Sequence, residues 1–282
     1  MKARFYLICT FLCGNFLTKA QENELRTADS LYKAGRYFEA SVSYERMLYN
    51  NYNIEWDCKA LTGKLQCLKK QQQYQVAADF IMRNNDNKFP DSIRSQFLYQ
   101  QALCLYLAGN FDNCLSLIRQ INYLYPNFDN NRMLQLLNIL SLNELKRWQE
   151  GQAEYQNFIR HYFPEDSTAF QNPYIHIPKL KNENTAQWLS TFLPGAGELY
   201  AGKPIEALAS IILQGTAIYF GIVSWQQKYY FSTWFVGAGL FASFHNGGVR
   251  RSEKLVQIYN KKQVMNFNER IKKQMIELIN NH

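Results

Sequence analysis

The sequence predicts an all-α protein: a solenoid of helical hairpins followed by a membrane helical hairpin and an amphipathic C-terminal helix. Three observations predict it. A 37-residue echo runs through the first half, two uncharged 21-residue segments lie in the second, and the last 33 residues alternate basic and apolar positions at helical spacing. With 47% hydrophobic and 19% charged residues in 282, the chain has the composition of a folded or membrane-linked protein and room for two domains. The net charge of +8 is confined to the ends. Residues 1–20 contribute +3 and residues 250–282 contribute +5, while the 20 bases between them meet 20 acids. A neutral repeat region argues against nucleic-acid binding and assigns the basic termini to targeting or membrane roles.

Residues 1–20 read as a secretory signal. Lys2 and Arg4 form the basic start, Phe5 to Leu17 is mostly apolar, and Ala20 offers a small residue for cleavage before Gln21. Bulky Leu12 before Cys13 disfavours processing as a lipoprotein.

Residues 21–164 carry the echo. Leu31, Leu68, Leu105 and Leu142 form one column, Tyr37, Tyr74, Phe111 and Trp148 a second, and Ala40, Ala77, Cys114 and Gly151 a third, all without insertion. A fixed period of this length means stacked supersecondary units, which usually present a surface to a partner. Within each block the apolar spacing predicts two antiparallel helices around a tight turn, the small residue allowing close approach and the aromatic wedging between hairpins. The same register explains three cysteines as small packing residues. Cys67 and Cys104 fall in a column with Ser30 and Ser141, and Cys114 falls in the alanine column; Cys58 has no such explanation.

The segment Leu31 to Ala40, Leu-Tyr-Lys-Ala-Gly-Arg-Tyr-Phe-Glu-Ala, resembles the tetratricopeptide repeat family, as does Leu105 to Phe111. Pro126 lies where that family closes its second helix, with Pro90 and Pro164 within one position of the same place. The chain departs from the pattern at Gln72 and Lys146, which replace the turn glycine, at Gly151, and in a repeat longer than the family's usual ~34 residues. The resemblance implies a concave groove lined by first helices, with Leu25, Tyr32, Lys33, Lys69, Lys70, Tyr99, Tyr106 and Asn143 at matching positions. It implies a protein partner there, and Lys69 with Lys70 would suit an acidic peptide end.

Residues 165–187, with Pro173, Pro178 and a polar run, read as a linker. The membrane module follows at 188–249. Ala207–Gln227 and Tyr229–Val249 are each free of formal charge and about as long as a bilayer crossing requires. Trp225, Tyr229, Tyr230 and Trp234 cluster at the turn like interfacial aromatics, and Gly239, Ser243 and Gly247, with Ala217 and Gly221, offer small-residue stripes for helix packing. Gln214, His245 and Asn246 are costly in lipid unless paired. Before the first crossing, Leu193 to Lys203 resembles the Pro-Gly-x-Gly-Gln-x-Tyr-x-Gly signature of small bacterial modules with two transmembrane helices, through Pro194, Gly195, Gly197, Tyr200 and Gly202, with Glu198 where glutamine is usual. Its glycines and proline suit a re-entrant or interface-lying loop. Residues 250–282 read as a basic amphipathic tail, apolar along Val264, Phe267, Ile271, Met275 and Leu278, that rests on lipid or stands in solvent.

Export with two crossings leaves the basic tail outside the cytoplasm, against the positive-inside tendency. A third pass through Trp188–Gly202, a re-entrant hairpin, or a membrane other than the inner one would each remove the conflict. No catalytic motif appears: the four histidines are scattered, no metal-ligand spacing occurs, and no cofactor is called for. The leading expectation is therefore a non-enzymatic scaffold or assembly factor of the bacterial envelope. It is exported, held at a membrane by lipid contact, and binds protein partners through the groove. Two further readings remain: a membrane module that transports or senses a ligand at Pro194–Gly202, with the repeats regulatory, and a membrane-surface enzyme using Glu198 and His245.

Overall fold

A computed structural model describes residues 22–50, 53–85, 88–127, 131–163 and 172–281. The signal-like segment 1–20 and Pro164 lie outside the described residues. Among those described, regular structure is entirely helical, and the chain divides into two compact units between Phe170 and Gln171.

The first unit is four helical hairpins in succession. Helix α1 (22–33) is followed by α2 (Tyr37–Asn50), α3 (Ile54–Lys70), α4 (Tyr74–Asn84), α5 (Asp91–Leu107), α6 (Phe111–Leu124), α7 (Asn131–Glu144) and α8 (Trp148–Tyr162). From α2 to α8 each helix packs on the next, and α5 also reaches α7. The aromatic of the second sequence column opens every second helix, and every hairpin closes in one way. Gly35, Gln72, Gly109 and Lys146, spaced 37 residues apart, all take positive φ, at 76°, 58°, 79° and 61°. Each of them donates its N–H to the carbonyl three residues back, and the following residue donates to the carbonyl five back: Arg36 to Leu31 at 3.0 Å, Gln73 to Leu68, Asn110 to Leu105 and Arg147 to Leu142 each at 2.9 Å. This pair of bonds is the Schellman closure, which satisfies carbonyls the helix end leaves open. The glycine is thus replaced in two turns without the turn being lost, and Gln72 and Lys146 hold the left-handed geometry at a steric cost.

The predicted columns form the core. Ala40, Ala77 and Cys114 are completely buried, and Gly151 is buried beside them in register. Leu68, Leu105 and Leu142 are buried, whereas Leu31, in the first block, is half-buried. A further column, Tyr44, Ile81, Ile118 and Tyr155, is buried throughout. Tyr44 of α2 donates its hydroxyl to Asp29 of α1, and its ring lies where a Cβ on Gly63 of α3 would meet it at 2.4 Å, so one side chain ties three helices together. Burial and the Asp29 carboxylate both push the Tyr44 phenol far above its usual range. The four described cysteines are free thiols. Cys67, Cys104 and Cys114 are fully buried, and Cys114 donates to the Ala102 carbonyl at 3.2 Å. Pro90 stands before the first residue of α5, so it opens a helix where the sequence pattern placed a closure.

The second unit starts with a 3₁₀ turn at Pro173–His176, capped by the Asn172 side chain. It continues through α9 (Glu183–Phe192), α10 (Ala196–Tyr200), α11 (Pro204–Gln226), the single turn α12 (Tyr230–Ser232), a π-helical turn at Thr233–Ala238, and α13 (Gly239–Asn281), 43 residues of unbroken helix.

 Helix α13, Gly239–Asn281, runs on without a break at the expected boundary near 249. The part of the second crossing from Gly239 onward and the tail are therefore one helix, not two elements. Only α11 among the described helices is long and apolar enough to cross a membrane, and just 22% of its most apolar stretch is buried. The tail is also corrected. Val264, Phe267, Ile271, Met275 and Leu278 are all buried, so this face is covered by protein and is not free to lie on lipid. The expected linker 165–187 shortens as well: α9 begins at Glu183, and Lys181 and Asn182 are already tied down by hydrogen bonds to Asn260 and Tyr200.

Relieving the two strained turns should stabilise the first unit. Gln72→Gly and Lys146→Gly are each expected to add about 1 kcal/mol, because left-handed backbone costs a non-glycine residue roughly 1–2 kcal/mol and glycine returns part of that as unfolded-chain entropy. Gly109→Ala should lose a similar amount, and urea unfolding followed by Trp56 and Trp148 fluorescence measures all three. The thiols give a second check. Burial raises the pKa of every described cysteine, to about 11 at Cys67 and Cys114. At neutral pH, half-buried Cys58 should react first with a thiol reagent, and the other three only on unfolding.

Candidate functional site

The first candidate surface is the last turn of the first helix in each hairpin. Tyr32, Lys69, Tyr106 and Asn143 are one 37-residue column, and their carbonyls accept the turn bonds from Gly35, Gln72, Gly109 and Lys146. Tyr32 stands edge-on to Tyr37, with ring centres 5.4 Å apart, and Tyr106 repeats the contact with Phe111 at 5.5 Å. The aromatic column therefore steadies the expected groove residues directly. Lys69 is half-buried, and its ammonium donates to the Gln100 side chain of α5. No carboxylate pairs with it among the described residues, and burial lowers its pKa below the usual lysine range. Tyr99, the neighbour of Gln100, is half-buried too, with its phenol pushed up by burial. Lys33 and Lys70 are exposed at the helix ends, and Leu25 packs into the first core cluster. Asn143 departs from expectation. Its side chain is completely buried and cannot line an open groove.

The second candidate is the motif between α9 and α11. Gly195, at φ 83°, turns the chain after Pro194, and a Cβ there would stand 2.7 Å from the Ala207 carbonyl and 2.9 Å from Ile211 of α11. Gly197 is tighter still. Its Cβ would meet Ser190 Oγ at 2.2 Å, the Ala186 carbonyl at 2.3 Å and Ser252 of α13 at 2.6 Å. Gly202, at φ 84°, repeats the Schellman closure of the first unit, with Lys203 donating to the Glu198 carbonyl at 2.9 Å. The motif glycines are thus explained by backbone approach and turn geometry. Tyr200 anchors the preceding segment: its hydroxyl accepts from the Asn182 N–H at 3.1 Å, and its carbonyl accepts from Lys181 Nζ at 2.7 Å.

Glu198 sits at the centre and has no exposed surface. Ser190 of α9 donates to one carboxyl oxygen at 3.1 Å, and Ser210 of α11 donates to the other at 2.7 Å. A Cβ on Gly248 of α13 would lie 3.6 Å from that second oxygen. One carboxyl therefore joins four helices. Gln214, 2% exposed, lies one turn further along α11, and its Oε1 is 3.3 Å from His245 Nδ1. Glu198 and His245 are brought to the same helix crossing, but each makes its hydrogen bonds to other partners. The small-residue stripe of the return helix also differs from expectation. Gly237 packs on Gly221, whereas Gly247 has nothing within 4 Å and Ser243 is exposed. Among the described residues, no group of three or more His, Cys, Asp or Glu side chains could hold a metal ion.

Comparison of the chain with protein families, characterised proteins and solved structures finds no match.

Sequence reasoning missed Ser190, Ser210 and Ser252 because isolated serines in apolar helices carry no motif. Their spacing holds a signal in retrospect, since Ser210 and Gln214 share one face of α11 at four-residue spacing. Gly197→Ala should be the most damaging single methyl in the motif. All three atoms it would strike are backbone or short side chain, so α10 must move off α9 and α13. A loss of about 1–3 kcal/mol is expected, read as faster proteolysis at residues 183–203; Gly248→Ala, which meets only ordinary contacts, should be nearly silent.

Proposed function

We propose that the chain is a membrane-tethered binding scaffold, in which the helical-hairpin unit takes a protein partner and the α11 region holds it at a lipid bilayer. One observation carries the tether. Ile211, Ile212, Leu213, Ile218, Tyr219, Phe220, Ile222 and Trp225 of α11 are all exposed, and Tyr230, Phe231, Trp234, Phe235 and Leu240 extend the apolar surface along the returning chain. So large a contiguous apolar face is far beyond what soluble monomers leave in water, and it matches a helix of about membrane-spanning length. The resemblance of the repeats to the tetratricopeptide pattern and the signal-like start support placing the partner-binding unit in a bacterial envelope.

The half-buried Lys69 ammonium, donating to the neutral Gln100 side chain, supports an acidic segment as the ligand of the repeat face. A buried cation without a counter-ion is costly, and a carboxylate from a partner would remove the cost. The ligand-sensing and enzymatic readings gain less support. Glu198 is sealed by its own serines, and neither it nor Gln214 faces solvent.

Fractionation tests the tether: the protein should stay with membranes through high-salt and carbonate washes, and Ile218→Arg with Ile222→Arg should release it. For the groove, Lys69→Met should weaken binding of acidic peptides about tenfold, the worth of one charge-assisted hydrogen bond. The same change should raise the unfolding midpoint at neutral pH. Because burial lowers the folded-state pKa of Lys69, the unfavourable charge is fully present below that pKa and is relieved as pH rises toward the unfolded value. The stability gap between Lys69→Met and parent should therefore close on the alkaline side.

A further inference from the structure

We infer that α9 and α10, joined through Pro194 and Gly195, form a re-entrant helical hairpin that enters the lipid tip-first beside α11. The inference rests on the reading of α11 as the membrane element, and it names the bilayer leaflet nearest the Glu206–Arg251 ion pair as the occupant of the exposed apolar surface on α9.

Helix register gives the depth. Along α11 and the returning chain (the π-helical turn and α13), which run antiparallel, Glu206 meets Arg251 at 2.7 Å, Gln214 meets His245 at 3.3 Å, and Gly221 meets Gly237. Along α9 and α13, also antiparallel, Glu183 meets Gln257 at 2.8 Å and the Ala186 carbonyl meets Ser252 at 3.2 Å. Helix α9 therefore advances in the same direction as α11. Its end passes the ion pair: Glu198 meets Ser210, and Gly195 lies against Ala207 and Ile211. At 1.5 Å per residue, Ser210 is about 6 Å beyond Glu206 toward the apolar part of α11. The turn is level with the first uncharged residues of the spanning helix.

Polarity along α9 fits that placement. Its first five residues include Glu183, Asn184, Thr185 and Gln187, whereas its second half and C-cap include Trp188, Leu189, Phe192 and Leu193. Trp188, Phe192 and Leu193 are 63%, 79% and 64% exposed, and the Trp188 and Phe192 rings stack 5.7 Å apart. A helix lying flat on a membrane divides polar from apolar around its circumference. This one divides them along its axis. With ten residues, about 15 Å, α9 is too short for a third crossing of a ~30 Å core.

The tip also carries few backbone groups that need water. Pro194 has no N–H, Ala196 donates to the Leu193 carbonyl at 3.0 Å, and Gly197 donates to Ser190 Oγ at 3.1 Å. Thr191 returns its hydroxyl to the Gln187 carbonyl at 2.8 Å. Internal satisfaction of this kind is what entry into lipid demands. At the level of the ion pair, Lys203, Arg250 and Lys254 are exposed and suit the phosphate layer above the tip.

The test uses the full chain in vesicles of phosphatidylcholine and phosphatidylglycerol, with its five tryptophans replaced by phenylalanine and one tryptophan returned at Thr185, Phe192, Tyr219 or Thr27. Fluorescence is quenched either by lipids brominated at shallow or deep acyl positions or by aqueous iodide. The expected result is strong shallow-bromine quenching at Phe192→Trp, with iodide quenching severalfold weaker than at Thr27→Trp, while Thr185→Trp stays open to iodide. Equal depth at Thr185→Trp and Phe192→Trp would overturn tip-first entry in favour of a flat helix. Iodide quenching at Phe192→Trp equal to that at Thr27→Trp, with Tyr219→Trp still quenched by bromine, would leave α11 as the tether and remove the re-entrant hairpin. Loss of bromine quenching at Tyr219→Trp as well would remove the membrane reading itself.

Discussion

Every helical hairpin in this protein depends on one residue that takes a left-handed backbone. The same two-bond closure ends the first helix of all four hairpins at Gly35, Gln72, Gly109 and Lys146. It recurs at Gly202 before α11 and at Lys228 between α11 and α12, where Tyr229 donates to the Ser224 carbonyl at 2.9 Å. The closure stops a helix and reverses the chain within two residues, so the next helix starts against the one just finished. In the first unit this fixes the period, because the distance from turn to turn is the distance from core column to core column. Three of the six positions are not glycine. The geometry is therefore imposed by the packing on either side, which outweighs a local cost of roughly 1–2 kcal/mol at each.

Close approach is the second requirement, and the two units meet it differently. In the first, small side chains at Ala40, Ala77, Cys114 and Gly151 let paired helices close over a shared apolar core. In the second, bare glycine Cα atoms touch helices or backbone outright, at Gly197 beneath α9 and α13 and at Gly237 on Gly221. Contact that close leaves little apolar side chain between the helices, and polar groups hold the crossing. Ser190, Glu198 and Ser210 are one such seam, Gln214 and His245 another, and Ser252 on the Ala186 carbonyl a third. An interface with little apolar side chain gains little from burial, so packing and hydrogen bonds must supply the association.

Much of the first unit was legible in the sequence because repetition tests each position four times. A single leucine or alanine says little, but columns at constant spacing state which side chains face the core, and Cys67, Cys104 and Cys114 could be read as packing residues on that basis. Asn143 shows the limit, since its column holds Tyr32, Lys69 and Tyr106, which keep some exposure, and register alone cannot report local burial. The second unit was less legible, having no repeat to average over. Charge-free stretches located α11 to within three residues of its start, but absence of charge cannot say where a helix ends. Helix α13 passes from uncharged to basic sequence without altering its backbone. Glycine spacing in the returning segment of the hairpin was misleading for a related reason: Gly239, Ser243 and Gly247 repeat every four residues, yet the face that meets α11 carries Gly237, His245 and Gly248.

The continuity of α13 recasts the charge problem posed by the basic C-terminal tail. Read as a separate tail, Arg250 to Lys273 would seek anionic lipid on its own. As one helix with its apolar face buried at Val256, Phe267, Ile271 and Met275, it presents its bases from a fixed scaffold. Arg251 is already engaged by Glu206 at the start of α11, and Gln257 by Glu183 at the start of α9. These contacts lock the three helices in register at the edge of the apolar surface. The level at which charge gives way to exposed Trp188, Phe192 and Ile211 is thereby set by the fold, and the bases nearest it cannot shift relative to that apolar surface independently of α9 and α11.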